Sequence, residues 1–124
     1  MNNSRVKTFR DLLVWQKAMN LVTDTYLMTR GFPKEEWYGF SQQIRRCAVS
    51  VPSNIAEGYG RNATNDYTRF LQISLGSLFE LQTQLEISLN LEYIQKDIFD
   101  IHFESSREIE RMLVSLINKV QNSK

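Results

Sequence analysis

The chain is predicted to fold as an all-α, antiparallel up-down-up-down four-helix bundle whose second helix is kinked at Pro52. Three observations carry this expectation. Apolar residues recur every three or four positions along four long segments, the period of a helix that buries one face. No segment shows a convincing two-residue alternation, so no sheet is expected. The breaks between segments are short, and short connections force antiparallel neighbours.

The second segment is the most informative. Trp37, Phe40, Ile44, Ala48, Val51, Ile55 and Tyr59 keep helical register straight through a proline. A helix ending at Pro52 would have no reason to hold that register beyond it. Inside a helix the proline removes the hydrogen bond to the carbonyl of Ala48 and pushes that carbonyl aside, at a cost of about 3 kcal/mol. Two shorter helices with a turn at Val51-Pro52 are the alternative.

The remaining elements follow in order. The first helix is expected from Phe9 to Arg30, with Val14, Ala18, Leu21, Thr25 and Met28 as its seam, widened by Trp15 and Val22. Thr8 followed by Asp11 resembles a capping box, and Gly31 is expected as a left-handed C-cap. Phe32-Pro33 turns the chain, and Pro33-Lys34-Glu35-Glu36 starts the second helix with proline and acids in its first turn. That helix should end near Gly58 or Gly60. The third runs from Thr64 to Leu89, its seam Tyr67, Leu71, Ser74, Leu78, Leu81 and Leu85, with Asn90 as C-cap. The fourth runs from Lys96 to Gln121, with Ile98, Ile101, Ser105, Ile109, Met112, Leu116 and Val120 inward. Helices of this length reach roughly 37 Å.

Composition sets outer bounds. A length of 124 residues with 42% apolar content suits one folded domain with one core. Residues 1–7 and 122–124 are expected to be flexible. No run of eighteen apolar residues exists, so no membrane span is expected. Met1 to Arg5 lacks the apolar core of a signal peptide, and the one cysteine fits a reducing compartment, so a cytoplasmic location is expected. The net charge of +1 hides an asymmetry: residues 1–62 carry nine Lys/Arg against five Asp/Glu, and residues 63–124 carry six against nine. Such a split makes a dipolar subunit whose basic end attracts nucleic acid or an acidic surface; two ordinary solvated faces are the alternative.

Apolar residues off the seams suggest a second buried surface. Ile73, Phe79 and Ile87 on the third helix, and Phe99, Phe103, Val114 and Ile117 on the fourth, lie well outside the main stripes. Gly76 points away from the core, where it costs about 1 kcal/mol relative to alanine. The face of the second helix opposite its seam is small, with Ser50, Ser53 and Gly60. We therefore expect an oligomer interface that includes Ser50, Ser53, Ile73, Gly76, Phe79 and Ile87; a solvated face is the alternative.

Four motifs carry a resemblance: Phe9-x-x-Leu12-x-Val14-Trp15-Gln16-x-Ala18; Phe32-Pro33-x-x-Glu36; the stretch from Gln43 to Arg61; and Arg69-Phe70-Leu71 with Gly76-Ser77-Leu78-x-Glu80-Leu81. They span residues 9 to 93. In these the chain resembles the bacterial four-helix-bundle protein family encoded in intervening sequences of large-subunit ribosomal RNA genes, sometimes labelled a ribosomal protein family. It is similar also to the accessory variability protein of diversity-generating retroelements. The second resemblance implies a ring-shaped homopentamer, and with it an association with a reverse transcriptase. Ala63 departs from the family's helix-capping serine, and Cys47 from its usual alanine.

No constellation points to catalysis, and no metal or cofactor is expected. His102 is the only histidine, and Phe99 stands where a di-iron Glu-x-x-His motif needs glutamate. A helical ribonuclease of the HEPN type would want an arginine four to six residues before its histidine; Lys96, Asp97 and Ile98 stand there. Cys47 reads as a small buried hydrophobe, and Gly58-Tyr59-Gly60 follows no strand. The binding residues expected are Arg45, Arg46, Arg61 and Arg69, whose planar guanidiniums suit phosphates. In an antiparallel pair joined near residues 60–64, Arg61 and Arg69 approach each other. The expected function is weak nucleic-acid binding, RNA or DNA, by a non-enzymatic homo-oligomer. The alternative is a protein-binding adaptor or scaffold, for example for a reverse transcriptase.

Overall fold

The computed structural model describes residues 6–123. Of the tails expected to be flexible, residues 1–5 and 124 lie outside the described residues. Four long helices form the molecule: α1 (Leu13–Thr29), α2 (Phe40–Tyr59), α3 (Thr64–Asn90) and α4 (Lys96–Gln121). Short 3₁₀ turns at Phe9–Asp11 and Lys34–Glu36 precede α1 and α2. Among the described residues there is no strand. Contacts run in opposing chain order: Cys47 and Ser50 meet Ser77 while Val51 meets Ser74, and Lys17 meets Glu108 while Asp24 meets His102.

The larger apolar cluster joins Ala18 and Leu21 of α1, Ile44, Ala48, Val51 and Ile55 of α2, Leu71, Leu78 and Leu81 of α3, and Ile109 and Leu113 of α4. A smaller one gathers Phe32, Leu85, Ile94 and Phe99. Three buried hydroxyls return to their own helix: Thr25 donates to the Leu21 carbonyl at 2.8 Å, Ser88 to that of Gln84 at 2.8 Å and Ser106 to that of Phe103 at 2.6 Å. These three enter the core with their donors satisfied, whereas the buried Thr68 hydroxyl finds no partner among the described residues.

α2 runs unbroken through a buried Pro52. Hydrogen bonds tie α2 to α3 in the turn that precedes it. Ser74 Oγ donates to the Val51 carbonyl at 2.8 Å, Cys47 Sγ to the Ser77 carbonyl at 3.0 Å, and the Ser50 and Ser77 hydroxyls pair at 2.8 Å. Asn54 Nδ2 donates to the Ser50 carbonyl at 2.8 Å. These contacts offset part of what the proline removes.

Several boundaries differ from the sequence expectation. The Thr8–Asp11 capping box forms, but it closes a 3₁₀ turn rather than starting α1. Leu12 is extended, and the turn is pinned back by Gln16 Nε2 donating to the Arg10 carbonyl at 2.9 Å and by Phe9 packing edge-on to Trp15. Gly31 is not left-handed, since the chain leaves α1 through tight bonds from Gly31 N to Met28 O and Phe32 N to Thr29 O. The left-handed cap falls instead at Glu92, φ 63°, after α3. There Tyr93 N reaches Ser88 O and Glu92 N reaches Leu89 O, the paired bonds of a Schellman motif. Asn90 stays inside α3.

α2 begins seven residues later than Pro33, at Phe40, because Gly39 breaks the backbone there (φ −115°, ψ −107°). Glu36 bridges the break: its carboxylate accepts from Phe40 N at 3.4 Å and from the Tyr93 hydroxyl at 2.6 Å. Trp37 lies outside α2 and is 45% exposed.

The largest correction concerns α4. Phe99 and Ile117, expected off the seam, are buried, and Phe103 packs on the smaller cluster. Ile98 and Ile101, expected inward, are exposed, Ile101 to 65%. α4 carries two apolar stripes about one residue apart, and the one with the stacked Phe99 and Phe103 rings faces the core. Aromatic rings bury more area than aliphatic chains, so the stripe that carries them is the one worth enclosing.

Candidate nucleic-acid interface

The corner between α2 and α3 is built on Gly58. A Cβ placed there would stand 2.8 Å from Phe70 Cβ and 3.1 Å from Tyr67 Cδ1. Only a residue without a side chain lets the last turn of α2 approach the first turns of α3 this closely. The approach decides where Arg61 goes. Three residues past Gly58, its guanidinium lies 4.8 Å from the centre of the Phe70 ring. Arg69, one residue before Phe70, lies 4.7 Å from the same ring. The sequence placed these two arginines near each other; the structure gathers both on one phenyl group.

Both arginines are exposed, and Phe70 is half-buried. Arg61 Nη2 also donates to Glu57 Oε2 at 2.9 Å, an exposed pair worth about 0–1 kcal/mol. Beside them Tyr59 and Tyr67 meet edge-to-face at 6.2 Å. Desolvation, with Tyr59 adding a smaller push, raises the Tyr67 hydroxyl to about 12, so it stays a protonated donor at neutral pH. Ala63 is the N-cap of α3 and gives no side-chain cap, as expected from its departure from serine.

The other two arginines stand elsewhere. Arg45 is enclosed, 8% exposed, and committed to α1. Its Nε donates to Thr29 Oγ1 at 2.8 Å, Nη2 reaches the Tyr26 carbonyl at 3.3 Å, and its guanidinium lies over the Tyr26 and Trp37 rings at 4.4 and 5.1 Å. It fastens the chain before α2 to α1 and is not an exposed phosphate ligand, which corrects the expectation. Arg46 is exposed and lines a polar cleft with Gln43, Ser50, Ser77 and Glu80. It lies roughly 22 Å from Arg61 along α2. Cys47, at the floor of that cleft, is pushed up to about 12 by desolvation, with the Glu80 charge adding to it. It is a thiol, not a thiolate.

Of the expected interface residues, Ile73, Phe79 and Ile87 are exposed to 42%, 44% and 39% on α3. Gly76 opens onto free space. Ser53 is exposed and lines an apolar groove with Trp15, Met19, Val22, Val49 and Pro52. Ser50 is half-buried and already paired with Ser77 and Asn54. Of the four off-seam residues expected on the fourth helix, Val114 is the one that is exposed. His102 holds the Ile98 carbonyl at 2.9 Å through Nδ1, a helix-packed histidine. Among the described residues no three His, Cys, Asp or Glu side chains gather as metal ligands, and no helix is long and apolar enough to cross a membrane.

The sequence missed Phe70, Tyr67 and Gly58 as parts of this corner. The signal was present: Arg69-Phe70 at the start of a helix, facing a glycine that ends the one before.

The fold and corner define a four-helix bundle that displays arginine and aromatic side chains where two helices turn back on each other. Residues 10–115 match the model of the 23S rRNA-intervening sequence protein family, and the chain belongs to that family. A solved structure is similar: a protein with unknown function from the S23 ribosomal protein family of Bacteroides thetaiotaomicron VPI-5482. The two agree with a TM-score of 0.77 at 25% identity, over 85% of this chain and 98% of that one. No curated protein matches the chain.

Proposed function

We propose that the protein is a non-enzymatic, homo-oligomeric bundle that binds nucleic acid weakly, with little base preference, through exposed arginines. The observation that carries this reading is the convergence of Arg61 and Arg69 on Phe70 at an exposed corner. Guanidiniums held by a ring keep their planes fixed, so less rotamer freedom is lost when phosphate binds. Arg46 belongs to the proposed surface as a separate, exposed charge; Arg45 does not. One subunit of net charge +1 is a weak polyanion binder. A homo-oligomer would repeat the corner and multiply its field.

Self-association is supported by the exposed apolar residues Ile73, Phe79 and Ile87 around Gly76. The pentameric count rests on the resemblance to the accessory variability protein alone. Binding should be retained near 50 mM salt and fall steeply by about 200 mM. A purified oligomer that retains no RNA or DNA at low salt would favour the protein-adaptor reading, with a reverse transcriptase as the partner class that the resemblance suggests.

A further inference from the structure

We infer that the Arg61–Phe70–Arg69 group is a stacking platform for bases, and that the protein therefore prefers single-stranded nucleic acid to duplex. The inference rests on the proposed nucleic-acid binding and names the form of nucleic acid bound. A site made only for phosphate needs cations free to reach it and no ring beneath them. Here both cations are arginines, and both lie over one ring, 4.8 and 4.7 Å from its centre. A guanidinium packed on a phenyl group is a flat, cationic surface, and bases stack on arginine planes as they do on aromatic rings. The half-buried Tyr59 and Tyr67, edge-to-face with each other at 6.2 Å, add further aromatic surface at the same corner.

The rigidity of the corner supports the same conclusion. Gly58 brings Phe70 and Tyr67 against α2 with no room for a Cβ, so the turn of α3 that carries the Phe70 ring is held close to the end of α2. Bases in a duplex are already stacked on each other and offer a side chain no face. Only unpaired bases can use this platform, and every base has a π-face, so the preference is for single strands rather than for a sequence.

The test is fluorescence anisotropy of the assembled protein at about 50 mM salt with three labelled probes of equal length: oligothymidine, a fully abasic oligonucleotide and a duplex. The abasic strand keeps the phosphates and lacks the bases. Oligothymidine should bind about tenfold or more tightly than the abasic strand. Phe70→Leu, which keeps apolar packing, and R61K/R69K, which keeps the charge on exposed side chains, should each shrink that ratio towards one. Equal binding of oligothymidine and abasic strand, with steep salt dependence, overturns the platform and leaves phosphate binding standing. Tighter binding to duplex overturns it likewise. Retention of none of the three overturns both the platform and the nucleic-acid reading beneath it.

Discussion

The guanidiniums of Arg61 and Arg69 lie over one phenyl ring, that of Phe70, at 4.8 and 4.7 Å. One arginine comes from the end of the α2–α3 connection's first half and the other from the second turn of α3, so the ring reports on how the two helices meet. Whatever moves α2 from α3 at this corner should separate the pair.

Gly58→Ala is the direct probe of that approach. Its methyl would stand 2.8 Å from Phe70 Cβ, closer than real Cβ atoms come. The helix ends must part, at a cost of about 1–3 kcal/mol. Chemical denaturation should show the loss, and nucleic-acid binding should weaken with it. A fully stable variant would mean that the corner is looser than the contacts at Gly58 indicate.

Glu92→Gly should act in the opposite direction. Glu92 sits at φ 63° in the Schellman cap of α3, a conformation that glycine adopts without the steric penalty of a Cβ. The variant should be more stable by about 1 kcal/mol, read as a raised denaturation midpoint with an unchanged slope. A loss of stability would mean that the Glu92 side chain supplies more than the backbone strain removes.

Two desolvated groups make the fold sensitive to alkali. The Cys47 thiol and the Tyr67 hydroxyl are both raised to about 12, from 9.0 and 10.0, chiefly by desolvation. The folded state therefore keeps protons that the unfolded chain releases. Their contribution to stability is complete below about pH 9 and is lost as the pH rises from there towards 12. Denaturation midpoints should fall across that window, and Cys47→Ala should remove the part that begins near pH 9. At pH 8 the folded protein should react with a thiol alkylator far more slowly than the unfolded chain does.

Phe79→Asp tests the self-association surface. Phe79 is 44% exposed, so the subunit itself should keep its stability within about 0.5 kcal/mol. At a subunit contact the carboxylate would be buried without a partner, and assembly should fail. Light scattering at micromolar concentration reads the outcome. A wild-type monomer would contradict oligomerisation, and a dimer or tetramer would contradict the count alone.

The long-range order of the fold was legible because register is a physical constraint that survives a proline. Ile44, Ala48, Val51 and Ile55 had to share one face, and all four are buried. The ends of the helices were less legible. Gly31 is not the left-handed cap expected, because the tight set of bonds after Thr29 needs no such residue, and the turn to Tyr93 places one at Glu92 rather than a cap at Asn90. The face of α4 was legible from Ile109 to Val120, which meet the core, but not in its first turns, where Ile98 and Ile101 compete with Phe99 and Phe103. What separates them is the space that Phe32 and Leu85 leave for the Phe99 ring, a property of three segments at once. The same holds for Arg45. Beside Arg46 in sequence it reads as a second exposed cation, and only Thr29, Tyr26 and Trp37 reveal it as a clasp between α1 and the start of α2.

Direct binding through Arg61 and Arg69 should show itself in the salt dependence of affinity. The logarithm of the association constant for duplex DNA should fall linearly with the logarithm of salt concentration, with a slope of roughly −0.9 for each phosphate neutralised. R61Q/R69Q should keep the oligomeric state, weaken binding to all sequences about equally and make the slope shallower. An unchanged slope and affinity in that variant, or no salt-dependent binding by the wild-type protein, would contradict the account.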